Sequence, residues 1–86
     1  MKYSLRYSKT AAKEISKLDN VVRKKIKEAL DTKLIKDPIS NSVQLRDFEI
    51  KGVRRFRVSS YRVIFVIEET YIEILRVGHR REIYRG

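Results

Sequence analysis

Residues 53–67 read VRRFRVSSYRVIFVI, and this stretch decides the fold. Apolar and charged residues alternate within it, which predicts two strands, Val53–Ser59 and Tyr61–Glu68. Because the link between these strands is so short, they are expected to pair antiparallel.

The alternation separates apolar from cationic side chains in these two strands. One face is predicted to lie under helices, and it carries Phe56, Val58, Val63 and Phe65. The opposite, open face would then bring three arginines together, namely Arg55, Arg57 and Arg62. The spacing also allows a structural alternative, in which these arginines form cross-strand ion pairs with Glu49, Glu68, Glu69 or Glu73.

Strand patterns flank the hairpin on both sides. Val43–Ile50 is predicted as a strand that reaches the hairpin through a tight turn at Lys51–Gly52. Tyr71–Val77 is predicted as the last strand, and residues 2–7 alternate as a first strand with one buried face.

The segment between the first two strands has helical spacing. Ser8 is a candidate N-cap for a first helix whose apolar residues are Ala11, Ala12, Ile15 and Leu18. Asp19-Asn20 ends it, and a second helix carries Val22, Ile26, Ala29, Leu30 and Leu34 on one stripe before Pro38 stops it. The order β-α-α-β-β-β-β predicts one α+β domain over residues 1–86, with an αα-hairpin packed on one sheet face.

Composition narrows the class of protein. The chain has 86 residues, and 21 Lys and Arg against 11 Asp and Glu give a net charge of +10. The absence of Cys and the single histidine, His79, exclude disulfides, thiol catalysis and Cys- or His-rich zinc sites, so neither metal nor cofactor is expected. No signal peptide or membrane-length apolar stretch is present, which predicts a cytoplasmic protein whose basic field attracts nucleic acid.

Lysine and arginine are segregated along the chain. Nine of the ten Lys precede position 43, mainly on the predicted helices, where lysines normally form a solvated face. Lys24 and Lys27 are the candidate phosphate contacts among them. Nine of the eleven Arg follow position 43. The planar guanidinium group holds its N–H donors at fixed angles and binds phosphate in a bidentate manner, so an arginine-rich sheet indicates phosphate binding.

The last nine residues, GHRREIYRG, form either a frayed basic tail or an anchored segment. Gly78 suits a sharp turn and Ile83 offers an apolar anchor, which would lay Arg80 and Tyr84 beside the arginine face. The remaining candidate RNA contacts are Arg54, Arg81 and Arg85.

The sequence resembles the RelE/ParE superfamily of bacterial and archaeal toxins, and more closely its RelE branch. The matching segments are YSLRYSKTAAKEISKL, VQLRDF, RRFRVSSYRVIFVIEE and ILRVGHRREIY, of which YRVIF and VGHRREIY are the most specific. The resemblance implies a microbial ribonuclease fold, cleavage of mRNA in the ribosomal A site, and silencing by a small antitoxin that is acidic where it docks.

The resemblance also implies roles for individual residues. Arg62 matches the family's active-site arginine on the strand, Arg80 the C-terminal arginine that holds the scissile phosphate, and Tyr84 the catalytic or base-stacking tyrosine. Arg55 and Arg57 stand where well-studied members carry lysine. Because arginine does not deprotonate in practice, these two are expected to bind phosphate and stabilise charge rather than act as bases.

The chemistry of RNA explains why such residues suffice without a metal. The 2′-hydroxyl attacks the adjacent phosphorus, and clustered guanidinium groups stabilise the charge that gathers on the phosphoryl oxygens. Tyr84 is the first candidate for the general base and His79 the second, while the sequence does not identify the acid. Three alternatives stay open: a ParE-like toxin that poisons DNA gyrase, a non-catalytic basic RNA-binding module, and a catalytically decayed toxin.

Overall fold

The computed structural model describes residues 3–46 and 51–79. Its elements follow the order β-α-α-β-β-β-β, which confirms the predicted α+β class. They are β1 Ser4–Tyr7, α1 Lys9–Ser16, α2 Asn20–Ala29, a π-helical segment Leu30–Leu34, β2 Ser42–Gln44, β3 Val53–Val58, β4 Tyr61–Ile67 and β5 Tyr71–His79.

The strands form one five-stranded sheet in the order β1-β5-β4-β3-β2. Strands β2 to β5 pair antiparallel in succession, as their short links predict. Strand β1 instead lies parallel to β5, with Ser4 opposite Tyr71 and Tyr7 opposite Ile74. The first strand therefore supports the last one, which leads into the C-terminal segment.

Helix α1 begins where the sequence predicts and packs mainly against β5. The Ser8 side-chain oxygen accepts the Ala11 N–H at 3.0 Å, which confirms Ser8 as the N-cap. Ala11 and Ile15 are buried, but Ala12 is exposed, so its predicted place on the apolar stripe is wrong. Ala12 lies about 100° around the helix from Ala11, which turns it toward solvent.

The second helix does not stay α-helical to Leu34. It changes to a π-helical turn at Leu30, where the Ile35 N–H bonds to the Leu30 carbonyl at 3.0 Å. In an α-helix, residues four positions apart point in directions that differ by about 40° around the axis. The wider π-helical turn compensates for this rotation. Ile26, Leu30 and Leu34 accordingly all stay in the core. No helix within residues 3–46 and 51–79 is long and apolar enough to cross a bilayer.

Several predicted strand ends differ from the observed ones. The strand predicted over Val43–Ile50 is observed as Ser42–Gln44, and residues 47–50 lie outside the described residues. The two hairpin strands end one residue earlier than predicted, because Ser59 belongs to the turn and Glu68 follows β4. The last strand runs two residues further than predicted, to His79.

A β-bulge explains the longer last strand. The register between β4 and β5 shifts by one residue next to Ile64/Phe65, which leaves Leu75 as the extra residue of β5. Beyond the bulge the pairing resumes, with Val77 opposite Val63 and His79 opposite Tyr61. A period-2 prediction carried past Leu75 assigns the later side chains of β5 to the wrong faces of the sheet, because the alternation changes phase there.

Both faces of the sheet carry a buried cluster. The main core lies under the helices and contains the four predicted residues, Phe56, Val58, Val63 and Phe65. The opposite face was expected to be open, and this is wrong over part of it, where a second cluster forms from Val53, Ile64 and Val66 with partly buried Leu45 and Leu75. The continuous apolar run Val63–Ile67 explains this, since such runs bury both faces of a strand.

Candidate active site

The β3–β4 hairpin turn sets the geometry of the candidate site. Val58 pairs with Tyr61, so the loop is the two residues Ser59 and Ser60. Ser59 has φ of 58°, the only positive φ at a non-glycine residue in the described part of the chain. A positive φ at the first loop residue alone is typical of a type II′ turn, where glycine is usual. This tight turn holds the strand ends on which the arginines lie.

Arg57 and Arg62 lie directly opposite each other across the hairpin. Directly paired residues share a sheet face with Cβ atoms about 5 Å apart, and like charges in such a pair are destabilising. Neither guanidinium bonds to a carboxylate within residues 3–46 and 51–79. The hairpin end therefore holds two neighbouring cations that the described residues do not neutralise.

Arg62 is buried, with 7% of its surface exposed, although the sequence predicts it on an open face. Strand β4 is interior to the sheet, between β3 and β5, which accounts for the burial. Its Nη1 donates to the carbonyl oxygens of Ser59 at 3.4 Å and Tyr61 at 3.2 Å, both long bonds. Its Nε is buried and has no hydrogen-bond partner in the part of the chain that the structure describes. A buried cation so poorly compensated is unfavourable to folding.

One further arginine, Arg55, extends this cationic surface toward the edge of the sheet. Arg57 is exposed and Arg55 is half-buried, and both border a groove of about 210 Å³. The rest of the groove is formed by Ser40, Asn41, Ser42 and Val43. Its walls thus combine guanidinium, hydroxyl and amide groups, which suit a sugar–phosphate chain.

Arg54 lies on the other face of β3 from Arg55 and Arg57, and its contacts go to the segment that leads into β2. Its Nε donates to the Ser42 side-chain oxygen at 2.6 Å, and its Nη2 donates to the carbonyls of Ile39 at 3.3 Å and Ser42 at 3.2 Å. These bonds hold the loop that leads into β2. Direct RNA binding by Arg54 stays a prediction, in competition with this structural role.

His79 lies on the other face of the sheet from Arg62. It pairs with Tyr61, and the two rings meet edge to face with centroids 5.6 Å apart. Tyr61 packs against the main core, whereas Arg62 faces Gly78. The structure therefore does not bring the His79 ring to the arginine pair, and its role as a base stays a prediction.

The candidate lysines lie apart from the arginines. Lys24 and Lys27 are exposed on α2 and border a shallow depression with Asn20, Val21 and Arg23, and no strand residue of the described chain lines it. The remaining predicted site residues lie outside the described residues: Arg80, Arg81, Tyr84 and Arg85.

Comparison with known proteins gives consistent matches over nearly the whole chain. The family profile of the ParE toxin of the type II toxin–antitoxin system parDE matches residues 5–84. Toxin RelG of Mycobacterium tuberculosis is 33% identical over 87 residues, which cover 99% of each chain.

Solved structures agree with these sequence matches. In the toxin–antitoxin complex RelBE2 of Mycobacterium tuberculosis, the matched chain is 29% identical with a TM-score of 0.84, covering 93% of this chain and 100% of that one. The RelB–RelE antitoxin–toxin complex of Methanococcus jannaschii gives 30% identity and a TM-score of 0.61, covering 92% of this chain and 94% of that one. The resemblance seen in the sequence is confirmed, and the chain belongs to the RelE/ParE superfamily of toxins from type II toxin–antitoxin systems.

Proposed function

We propose that this toxin is a ribosome-dependent endoribonuclease that cleaves mRNA in the A site and so inhibits translation. The observation that supports it is the cross-strand pair of Arg57 and buried Arg62, which no described carboxylate neutralises. A like-charge pair at this position is unfavourable alone and becomes favourable when an anion lies against it. A phosphodiester is the anion that a guanidinium fork fits best.

The proposed reaction uses the RNA's own nucleophile. The 2′-oxygen forms a bond to the adjacent phosphorus, the bond from phosphorus to the 5′-oxygen breaks, and the products are a 2′,3′-cyclic phosphate and a 5′-hydroxyl. A general base takes the 2′-hydroxyl proton, and an acid returns a proton to the leaving 5′-oxygen. Negative charge grows on the phosphoryl oxygens, and each guanidinium donor aimed at them contributes roughly 10²–10³ in rate.

The described arginines have two roles in this proposal, the initial binding of the phosphate and the stabilisation of its negative charge. Arg57 is exposed and meets the phosphate first. Among the described residues, Arg62 is held by two long bonds to carbonyl oxygens, so its guanidinium can exchange them for stronger bonds to a phosphate. Arg55 borders the adjoining groove and binds a neighbouring phosphate.

The general base comes from the C-terminal segment in this proposal. Arginine is excluded because its pKa is too high, and His79 stands on the opposite face of the sheet. Tyr84 is therefore the proposed base, since neighbouring cations favour its ionised form. Arg80, from the same segment, holds the scissile phosphate.

The proposed partners follow from charge and from the relatives. The solved relatives were determined as complexes with antitoxins, and a net charge of +10 fits a small antitoxin that is acidic in its docking segment. In the cytoplasm, the ribosome and its mRNA are the proposed target. Lys24, Lys27, Arg54, Arg81 and Arg85 are the proposed contacts to the RNA backbone.

Gyrase poisoning is the second candidate function, because the matched family profile is that of ParE toxins. That function requires no phosphate site for RNA cleavage. The unneutralised pair of Arg57 and Arg62 favours the nuclease.

The test is cleavage of a defined mRNA on programmed ribosomes. The purified chain is expected to cut within the A-site codon and leave a 2′,3′-cyclic phosphate, and a single 2′-deoxy nucleotide at the cut position should abolish that cut. Primer extension after induction in cells should map the same sites. Uncut mRNA together with inhibited DNA supercoiling by gyrase would contradict the proposal and support the ParE-like function.

A further inference from the structure

The Glu14 carboxylate connects α1 to the last strand through both side chain and backbone. Its Oε1 accepts the Val77 N–H at 2.9 Å, and its Oε2 accepts Arg76 Nη2 at 2.9 Å. Arg76 Nε lies 3.3 and 3.4 Å from the same two oxygens. The Glu14 side chain is only 24% exposed, so these bonds are partly shielded from water.

These bonds begin where β5 loses its neighbour. Strand β1 ends at Tyr7, opposite Ile74, so it leaves the following residues of β5 without a strand on that side. Ser8 binds two backbone carbonyls of β5 on that side. Its N–H donates to the Ile74 carbonyl and its hydroxyl donates to the Leu75 carbonyl, both at 2.9 Å. Glu14 then binds the Val77 N–H. The start of α1 thus replaces β1 along the bulged part of β5.

The bulge decides which residue faces Arg62. With Leu75 as the extra residue, Gly78 stands opposite Arg62. Without the bulge, the pairing seen before it would continue, Val77 would face Arg62, and each later side chain would move to the other face. Glycine has no side chain, so in the observed register β5 places no side chain directly opposite Arg62.

We propose that Glu14 is a positioning residue of the site, because its bond to the Val77 N–H fixes the bulged register that places Gly78 opposite Arg62. The same register sets the sheet faces on which Gly78 and His79, the last described residues of β5, lie. This inference rests on the proposed nuclease function for its catalytic consequence, but not for its structural one. The backbone bond carries the effect, and the ion pair with Arg76 only orients the carboxylate.

Three variants separate the backbone bond from the ion pair. Glu14→Gln keeps an oxygen for the Val77 N–H and loses the charge. Arg76→Met removes the ion pair and keeps the carboxylate, and Glu14→Ala removes both interactions. Cleavage on saturating programmed ribosomes is expected to fall roughly 10²-fold in Glu14→Ala with little change in the half-saturating ribosome concentration, as for a misplaced catalytic group. The other two variants should stay within about threefold of wild type.

A matched control addresses simple loss of stability. Val22→Ala removes a partly buried side chain from α2, away from β5, and rates of all variants are compared per folded molecule. Nuclear Overhauser contacts between Arg62 and Gly78, with amide protection at Val77, report the register directly. The proposal predicts that Glu14→Ala alone loses both signals.

Two results overturn the proposal. One is a Glu14→Ala variant that keeps the Arg62–Gly78 contacts and cleaves per folded molecule like Val22→Ala. The other is a Glu14→Gln variant as slow as Glu14→Ala, which assigns the effect to charge. If wild type cuts no RNA, the proposed function fails, and the register signals still decide whether Glu14 fixes β5.

Discussion

Arg62 and Arg76 lie on neighbouring strands of one sheet and have opposite environments. Arg76 has 42% of its side chain exposed, yet it forms an ion pair with Glu14 at 2.9 Å, and that hydrogen bond raises its pKa. Arg62 is 7% exposed, and its hydrogen-bond partners within residues 3–46 and 51–79 are two carbonyl oxygens at 3.2 and 3.4 Å. The more exposed arginine is thus the one with a carboxylate among the described residues.

Buried charges in proteins are usually paired. Here the exposed arginine has a described carboxylate partner and the buried arginine does not. A sequence selected for stability alone would pair the buried cation or replace it with an apolar residue. Arg76 is therefore interpreted as a structural residue, because its ion pair with Glu14 links α1 to β5. Arg62 instead has the environment of a functional residue, and its proposed partner is the phosphate of a bound RNA.

The largest change in cleavage rate is expected when the two candidate general bases, Tyr84 and His79, are compared. Tyr84→Phe keeps the ring for stacking and removes the hydroxyl, so cleavage should fall roughly 10²–10⁴-fold if Tyr84 is the base. His79→Ala, on the face away from Arg62, should change the rate far less. Single-turnover cleavage on programmed ribosomes measures both. A fully active Tyr84→Phe variant would eliminate Tyr84 as the base and direct attention to His79.

The next effect is a separation of activity from stability at the two arginines. Arg62→Met should lower cleavage roughly 10²–10³-fold. The same change should leave the free energy of unfolding equal or higher, because a poorly compensated buried charge is removed. Arg76→Met should do the reverse, with near-normal cleavage and a stability loss below about 1 kcal/mol for a partly exposed pair.

Single-turnover rates and urea unfolding of the two variants test this separation. Equal loss of activity in both variants, or a strongly destabilised Arg62→Met, would contradict the distinction drawn between the two arginines.

A smaller effect is expected at the helix lysines, which lie apart from both arginines. Lys24→Ala and Lys27→Ala should weaken ribosome binding modestly and reduce the slope of log K against log salt by about one each if they contact phosphate. Rates at saturating ribosome should stay near wild type. An unchanged salt slope in both variants would assign these lysines to an ordinary solvated helix face.

The smallest effect concerns Tyr7 at the end of β1. Burial raises its pKa above the usual 10.0, and the charge of Asp31 raises it further. A raised pKa in the folded state means that the neutral phenol contributes stability below about pH 10, which is lost as pH rises through the folded value. Tyr7→Phe should therefore lose less stability than wild type between about pH 9 and about pH 11 in urea unfolding. Parallel pH dependence in the two proteins would contradict this.

Local periodicity was sufficient to predict the element order and the main core. Phe56, Val58, Val63 and Phe65 alternate cleanly, and each is buried under the helices. The Ser8 cap was also readable, because its chemistry involves only its immediate neighbours.

Features that depend on distant partners were not predictable in this way. The parallel pairing of β1 with β5 joins opposite ends of the chain. The bulge at Leu75 interrupts a β4–β5 pairing that strand periodicity takes to be regular. The burial of Arg62 depends on the interior position of β4, which alternation does not reveal. Glu14 left one signal, a charged residue between Ala11 and Leu18 on an apolar helix face, but nothing local identified Val77 or Arg76 as its partners.

We propose that Arg62 binds a phosphate of the RNA, and the NMR signals of the Arg62 guanidinium report on that contact directly. A short RNA with 2′-O-methyl groups, which cannot cleave itself, is titrated into labelled protein while the side-chain N–H signals of Arg62 and Arg76 are followed. The Arg62 signal should shift strongly as its Nε gains a phosphate acceptor, and the Arg76 signal, already bonded to Glu14, should stay in place. An unmoved Arg62 signal at saturating RNA would contradict the account.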